Sequence, residues 1–560
     1  VGSFKTIIAL AVAASAIYSA PIGAKPYPTH LPYLVHRGQL TTALDLYQES
    51  YRQNKQHDVE CLELIALSLL EQGARSRDPE EQLMTQFGAG ISMDERAMPI
   101  LLQGVHSPIP GLQLIALNFL GRSHTEQAER ALLSAMRSNS LLVRFEAAYQ
   151  LSRLHLPGAC NAVESLMSKI DGELLALFAP LYGLINDDQS MRALRKLLTA
   201  PYETVRIAAI NSCAAAGRDD FIPKIETLTR QHSTAQQEAC AYALGILGDE
   251  AAEPLLRKMT ESHHTDLKLA ALYSLYQLGR HDQLPAIYAM AADGNLFAIA
   301  LLGDIPNSDE QLVQLMKERD LSIKVNVATG LVRHENPHCM PLLREILIKD
   351  QRDFAFEPLH SHGGSLSCWR AVPSARQNFK DTPTALERSL HFREQLLTDA
   401  TRLPAADFLQ LAAAIFDGQQ NDLVPALTSQ LELLATPEAI ALLQKYQQQV
   451  GMPLIRNYCN LALYRLKIEG PYGNNLQAWV AQQASTGLIE LRPPLPWEER
   501  DPHHYQNILP HENSRLLVET FEAFTQRQDD QGINILIEAI KSGFQKNRYA
   551  LAGLLLRAAL

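Results

Sequence analysis

At 560 residues, with 46% apolar, 20% charged and 7% aromatic side chains, the chain has the composition of a soluble helical protein. That length exceeds one ordinary core unless the core grows by repetition. A net charge of −11 with no Lys/Arg run argues against a nucleic-acid or anionic-membrane surface as its main business.

The first residues read as a leader. Lys5 precedes an apolar run from Ile7 to Ile17, followed by small residues at Ser19, Ala20 and Ala24. This layout predicts a cleavable signal peptide over 1–24 and export to the periplasm or beyond. The run is shorter than the roughly 18 residues a membrane span needs, so no stable membrane insertion is expected. Seven cysteines, at 61, 160, 213, 240, 339, 368 and 459, are scattered and odd in number. They read as small core residues and not as a disulfide framework.

Residues 25–97 begin with a proline-rich lead-in. TTALDLYQESYRQNKQ and DVECLELIALSLLEQGA then show the 3.6-residue period of two amphipathic helices. The pair resembles a tetratricopeptide hairpin and is expected to cap a stack.

Residues 98–350 repeat. Small residues fall at Ala116, Ala147, Ala176, Ala209, Ala241, Ala271, Ala298 and Ala328, and prolines of the alternate helices at Pro99, Pro223, Pro254, Pro285 and Pro341. The fullest copy is 235–279, AQQEACAYALGILGDEAAEPLLRKMTESHHTDLKLAALYSLYQLG. There Gly248 suits the left-handed position after a helix, Asp249 can cap orphan N–H groups, and Pro254 fits a first turn. A hairpin of this size cannot bury its apolar face alone and must stack on copies of itself. The predicted fold is all-α, a right-handed α-α superhelix.

The stretch ACAYALGILGDEAAEPLLRKM resembles the HEAT-like repeat of the phycobilisome-lyase type, an armadillo-like helical hairpin. So does the dipeptide opening each small-residue helix, Val143-Arg144 and Val205-Arg206, with Leu267-Lys268 and Ile323-Lys324 as variants. The resemblance implies protein–protein scaffolding. Its lyase and isomerase members act on bilins, so a bilin lyase/isomerase-like enzyme is the alternative. As a whole the chain also resembles the exported HEAT-repeat proteins of chlamydia-like bacteria. Arg144, Arg206, Lys268, Lys324 and Arg456 are expected to bond neighbouring turns, and Pro223, Pro254, Pro285 and Pro341 to start helices. These are structural positions.

Regularity breaks at 351–384, an aromatic, proline-containing segment without helical period, expected to be irregular. Its His360 and His362, with Cys368, are candidate metal ligands weighed against a plain Gly-rich loop. Its Phe354, Phe356 and Trp369 are candidate partner anchors of the kind enriched at hot spots. The H-E-x-x-H string His334 to His338 contains Pro337, which denies it a continuous helix, and it reads as a turn. Helical repeats resume over 385–485. A proline-rich break, 486–512, contains Pro493, Pro494 and Trp497, either a partner contact or a stiff connector. Helices over 513–560 close the chain. With no phosphate loop, nucleophile elbow or paired carboxylates, no catalytic residue and no cofactor is assigned. The expected function is an exported solenoid scaffold that binds another protein on its concave face without catalysis of its own.

Overall fold

The computed structural model describes residues 28–231, 233–348, 354–373, 382–483, 491–492, 506–507 and 512–558. It divides into two compact units, one of residues 117–476 and one that joins 1–116 to 477–560.

Within 117–476 the chain runs as repeated helical hairpins. The first helices are α1 (Leu141–Arg153), α2 (Phe178–Ile185), α3 (Glu203–Ala215), α4 (Thr234–Ile246), α5 (Thr265–Gln277), α6 (Leu296–Leu302) and α7 (Leu321–Arg333). Consecutive pairs from α1 to α5, and α6 with α7, pack against one another. The fold is an all-α HEAT-like stack, as the sequence predicts.

The turn inside each hairpin follows from its residues. Gly217, Gly248 and Gly279 take φ of 64°, 74° and 80°, the left-handed region that only glycine enters freely. A single 3₁₀ turn follows, as at Asp219–Phe221, Glu250–Ala252 and His281–Gln283. The Asp249 carboxylate accepts the Ala251 N–H at 3.1 Å and so caps that 3₁₀ turn. Pro223, Pro254, Pro285 and Pro341 then fall in the first two positions of the next helix, where a missing N–H costs nothing. In the last of these turns Glu335 takes the left-handed place (φ 57°), and Asn336 accepts the His338 N–H at 3.0 Å. His334 and His338 therefore share no helix face.

Packing between neighbouring first helices depends on small residues. Ala147, Ala209, Ala241, Ala271, Ala298 and Ala328 are fully buried. Ala176 departs from the expected column: it lies half-buried in a 3₁₀ stretch, Gly172–Leu177, and the fully buried Ala179 takes the packing place. The approach is closest between α4 and α5. The Ser274 hydroxyl donates to the Ala241 carbonyl at 2.9 Å, and a Cβ on Gly245 would lie 2.6 Å from the Ser274 Cα.

The opening cations differ in what they do. Arg206 donates from Nη1 to the Ala200 and Pro201 carbonyls at 2.8 and 2.9 Å, and from Nε to Gln236 at 2.6 Å, tying a turn to the next helix. Lys324 pairs with Glu345 at 2.9 Å. Arg144 buries its Nε without a hydrogen-bond partner, and Lys268 and Arg456 are half-buried.

The segment expected to be irregular contains an antiparallel hairpin, β1 (Phe354–His360) and β2 (Ser367–Pro373), in register from Phe354↔Pro373 to His360↔Ser367. Its strands lack a strict alternation of buried and exposed side chains. Helices resume with α8 (Thr382–Asp399) and continue through Ala405–Asp417, Val424–Leu434, Pro437–Tyr446 and Pro453–Arg465.

In the other unit, helices Leu40–Asn54, Val59–Ala74 and Pro79–Ser92 pack with Asp530–Ser542 and Asn547–Arg557. The N- and C-terminal segments thus share one core. Lys541 pairs with Asp45 at 2.5 Å, and Lys546 with Asp78 and Glu80. The predicted signal peptide and Pro493, Pro494 and Trp497 lie outside the described residues. Among the described residues no helix is long and apolar enough to cross a membrane. The seven cysteines are free and buried, and burial raises the Cys213 and Cys240 thiols to about 12.

Candidate functional site: the hairpin on the first-helix face

Positions 149, 180, 211, 242, 273 and 304 are each 31 residues after the last, and so are 145, 176, 207, 238, 269 and 300. Residues four apart share a helix face. The pairs Phe145/Tyr149, Ile207/Asn211, Glu238/Tyr242 and Leu269/Tyr273 lie on α1, α3, α4 and α5, with Ala176/Pro180 where the 3₁₀ stretch meets α2, and form one ribbon across the stacked repeats; Asp304 lies past the end of α6. The β-hairpin lies over the later part of that ribbon.

Its base is held by apolar burial. Phe356 is fully buried, its ring 5.3 Å from Phe392 of α8, and Trp369 lies 4.2 Å from the same ring. Its length is held through main-chain groups. Asn326 of α7 accepts the Trp369 N–H at 2.9 Å and donates to the Trp369 carbonyl at 2.7 Å. The Ser322 hydroxyl accepts the Ala371 N–H at 3.1 Å. At the tip, Asn211 of α3 donates to the Gly363 carbonyl at 2.9 Å and accepts from Ser365.

Glu238 of α4 anchors the tip. It is 1% exposed, accepts the Gly363 N–H at 2.8 Å and takes the Ser361 hydroxyl as a second donor. A Cβ on Gly363 would stand 2.5 Å from the Ala235 carbonyl, so only glycine lets the tip come this close. Burial pushes the Glu238 carboxyl up from the ordinary range, and neighbouring Asp266 adds to this, while the tip hydrogen bonds work against it. Beside it, His362 sits 3.1 Å from Asp266, whose hydrogen bond and charge raise the imidazole above 6.5.

Both shifts have the same sign: the folded chain holds these two protons more tightly than the free groups do. The Glu238 contribution is present below the free carboxyl value and is lost as pH rises through the raised one. The His362 contribution is present below about 6.5 and is lost likewise above it. Hydrogen-exchange protection of the Gly363 and Leu366 amides, corrected for intrinsic exchange, is expected to fall as pH rises from acid through neutral. Glu238→Gln should remove the carboxyl's share and leave that of His362. A flat profile in the wild-type chain would exclude this linkage.

Between hairpin and helices a cavity of about 210 Å³ is lined by Tyr242, Asp304, Thr329, Arg333, His360 and Cys368, among others. His360 and Cys368 thus share a wall, but His362 is at the tip with Asp266. Among the described residues no three His, Cys, Asp or Glu side chains gather as metal ligands, because the hairpin spreads these candidates along its length. Of the aromatic anchors, Phe356 is corrected to a core residue, Trp369 is half-buried against α8, and Phe354 is 37% exposed.

Glu238, Asn211, Ser322 and Asn326 were not among the sequence-derived candidates. For Glu238 a signal exists: at 31-residue spacing it stands where Ile207 and Leu269 stand, an acid in an apolar column.

Residues 236–262 match the family model of the PBS lyase HEAT-like repeat. The chain thus contains a HEAT-like repeat. The matched HEAT-like repeat is the one that carries Glu238. No curated protein sequence matches the chain. Among solved structures, it is similar to the complex of CpcE and CpcF of phycocyanin lyase from Nostoc sp. PCC7120, at 20% identity over 39% of this chain and 92% of that one, with a TM-score of 0.31. It is similar to importin beta at 13% identity over 95% and 86%, TM-score 0.34. It is also similar to a structure of Kap95p with RanGDP, at 12% identity over 86% and 73%, TM-score 0.31.

Proposed function

We propose that this HEAT-like solenoid is an exported scaffold that binds another protein on the first-helix face of residues 117–476 and carries out no chemistry of its own. The supporting observation is how that face holds the hairpin. Asn211, Glu238, Ser322 and Asn326 bond to main-chain N–H and C=O groups, the bidentate Asn326 to both groups of one residue. Such contacts suit an extended polypeptide of many sequences better than a small metabolite. Stacked repeats supply such positions along a continuous surface while the core stays intact. The bilin-lyase alternative rests on the repeat match alone, and the buried acid in that matched repeat is spent on the hairpin.

A photo-crosslinking residue at Tyr149, on the ribbon, should yield a discrete adduct with another protein in source cells, and one at Leu433, also exposed, should not. Equal adducts at both positions, or covalent bilin addition catalysed by the purified chain, would count against the scaffold reading. Export is tested separately: N-terminal sequencing of the cellular protein should begin at Ala20 or Lys25, and a cytosolic pool with residues 1–19 intact would sink it.

A further inference from the structure

The hairpin covers the ribbon only in part. Under it, Glu238 is 1%, Leu269 0% and Tyr273 5% exposed. Past the tip, over α3, α2 and α1, the same two columns are apolar, with Pro180 and Tyr149 exposed and Ile207, Ala176 and Phe145 half-buried. Tyr149 is 43% exposed, and so, at 40% each, are Leu141, one turn before Phe145, and Leu184, one turn after Pro180. Phe145 is half-buried, with its ring 5.3 Å from that of Phe178, so the surface rests on a packed base.

The change of chemistry coincides with the end of the hairpin. Polar positions that read main chain, Asn211 and Glu238, stand where the tip lies, and apolar positions begin directly beyond it. We infer that this open stretch, from Leu141 to Ile207, receives an extended segment of another protein with apolar side chains along one face, laid end-on to the hairpin tip. This deepens the scaffold reading and rests on it.

Continuity with the hairpin interface identifies the occupant. Packed helices lie about 8–10 Å apart, and an extended chain advances about 3.3 Å per residue. Three helices therefore ask for roughly six to nine residues. The seven residues of β1 or β2 are of that length. Addition of the segment to the hairpin as a third strand is disfavoured. The Trp369 and Ala371 groups on β2 are taken by Asn326 and Ser322, the Phe356 N–H of β1 donates to Ser389 at 3.2 Å, and Pro358 has no N–H to offer. The segment meets helices, and apolar side chains carry its binding.

The probe is a displayed library of random ten-residue peptides selected on the whole chain. Affinities of enriched peptides are then measured against wild type, Tyr149→Glu, Leu184→Glu and Leu433→Glu, all changes at exposed positions. Expected are peptides with alternating apolar residues whose affinity falls at least about tenfold in the first two variants and is unchanged in the third. Peptides that bind all four chains equally would overturn this site and leave the scaffold reading standing. Failure to enrich any peptide would overturn both. A concentration-dependent dimer of the wild-type chain, lost in Tyr149→Glu, would give the surface to a second copy and overturn the proposed occupant.

Discussion

Gly553→Ala is expected to destabilise the unit formed by 1–116 and 477–560 by about 3 kcal/mol or more, the upper end of overpacking costs. Intrinsic helix propensity alone has the opposite sign, since alanine is favoured over glycine by about 1 kcal/mol in a helix interior. The contact decides against it. A Cβ on Gly553 would lie 2.0 Å from the Gly88 carbonyl oxygen and 2.5 Å from its carbon, and one on Gly88 would lie 2.3 Å from the Tyr549 carbonyl. These obstacles are backbone, so no rotamer change relieves them. The helices Pro79–Ser92 and Asn547–Arg557 would have to separate, and the burial of Ala550, Leu554 and Leu555 would go with them. Against a total stability of about 5–15 kcal/mol for a typical domain, that is a large fraction. Hydrogen exchange should show protection lost in both helices and kept in α4 and α5. A Gly553→Ala chain as protected as wild type would show that the two helices can part without cost.

Phe356→Ala is expected to undock the β-hairpin from the first-helix face. Replacing a fully buried phenylalanine by alanine costs about 3–5 kcal/mol. Phe356 is 0% exposed, packs against Phe392 and aligns the N–H that donates to Ser389. A two-stranded hairpin is at best marginally stable on its own in water, so once its base is loosened only the polar contacts to Ser322, Asn326, Asn211 and Glu238 hold it. The expected reading is loss of exchange protection throughout 354–373 with α3, α4 and α5 unaffected. Phe354→Ala, at a position 37% exposed, should cost less than about 1 kcal/mol by comparison. If both variants keep full protection of β2, the polar contacts of Asn326 and Ser322 suffice to hold the hairpin.

These two expectations fall on features of different legibility. The repeated hairpin was readable from sequence because its signals are local. Gly248 entering the left-handed region, Asp249 as a cap, Pro254 in a first turn and alanines in the next helix are each set by neighbours a few residues away. The same locality made Pro337 sufficient to refuse the H-E-x-x-H reading. The hairpin at 354–373 was not readable. Its strands take their burial from α7 and α8, and neither Phe356 nor Trp369 carries a mark in its own neighbourhood that separates a core residue from an exposed anchor. Glu238 lies between: its acid is visible in the 31-residue register, but what a buried carboxylate accepts is decided by Ser361 and Gly363, more than a hundred residues later. The Gly88–Gly553 contact joins the two ends of the chain. Composition and periodicity determine that helices form and how each pair turns. Which distant backbones approach within a missing side chain's width was decided only by tertiary packing, because that contact depends on where whole helices come to rest and not on the bonds near either glycine.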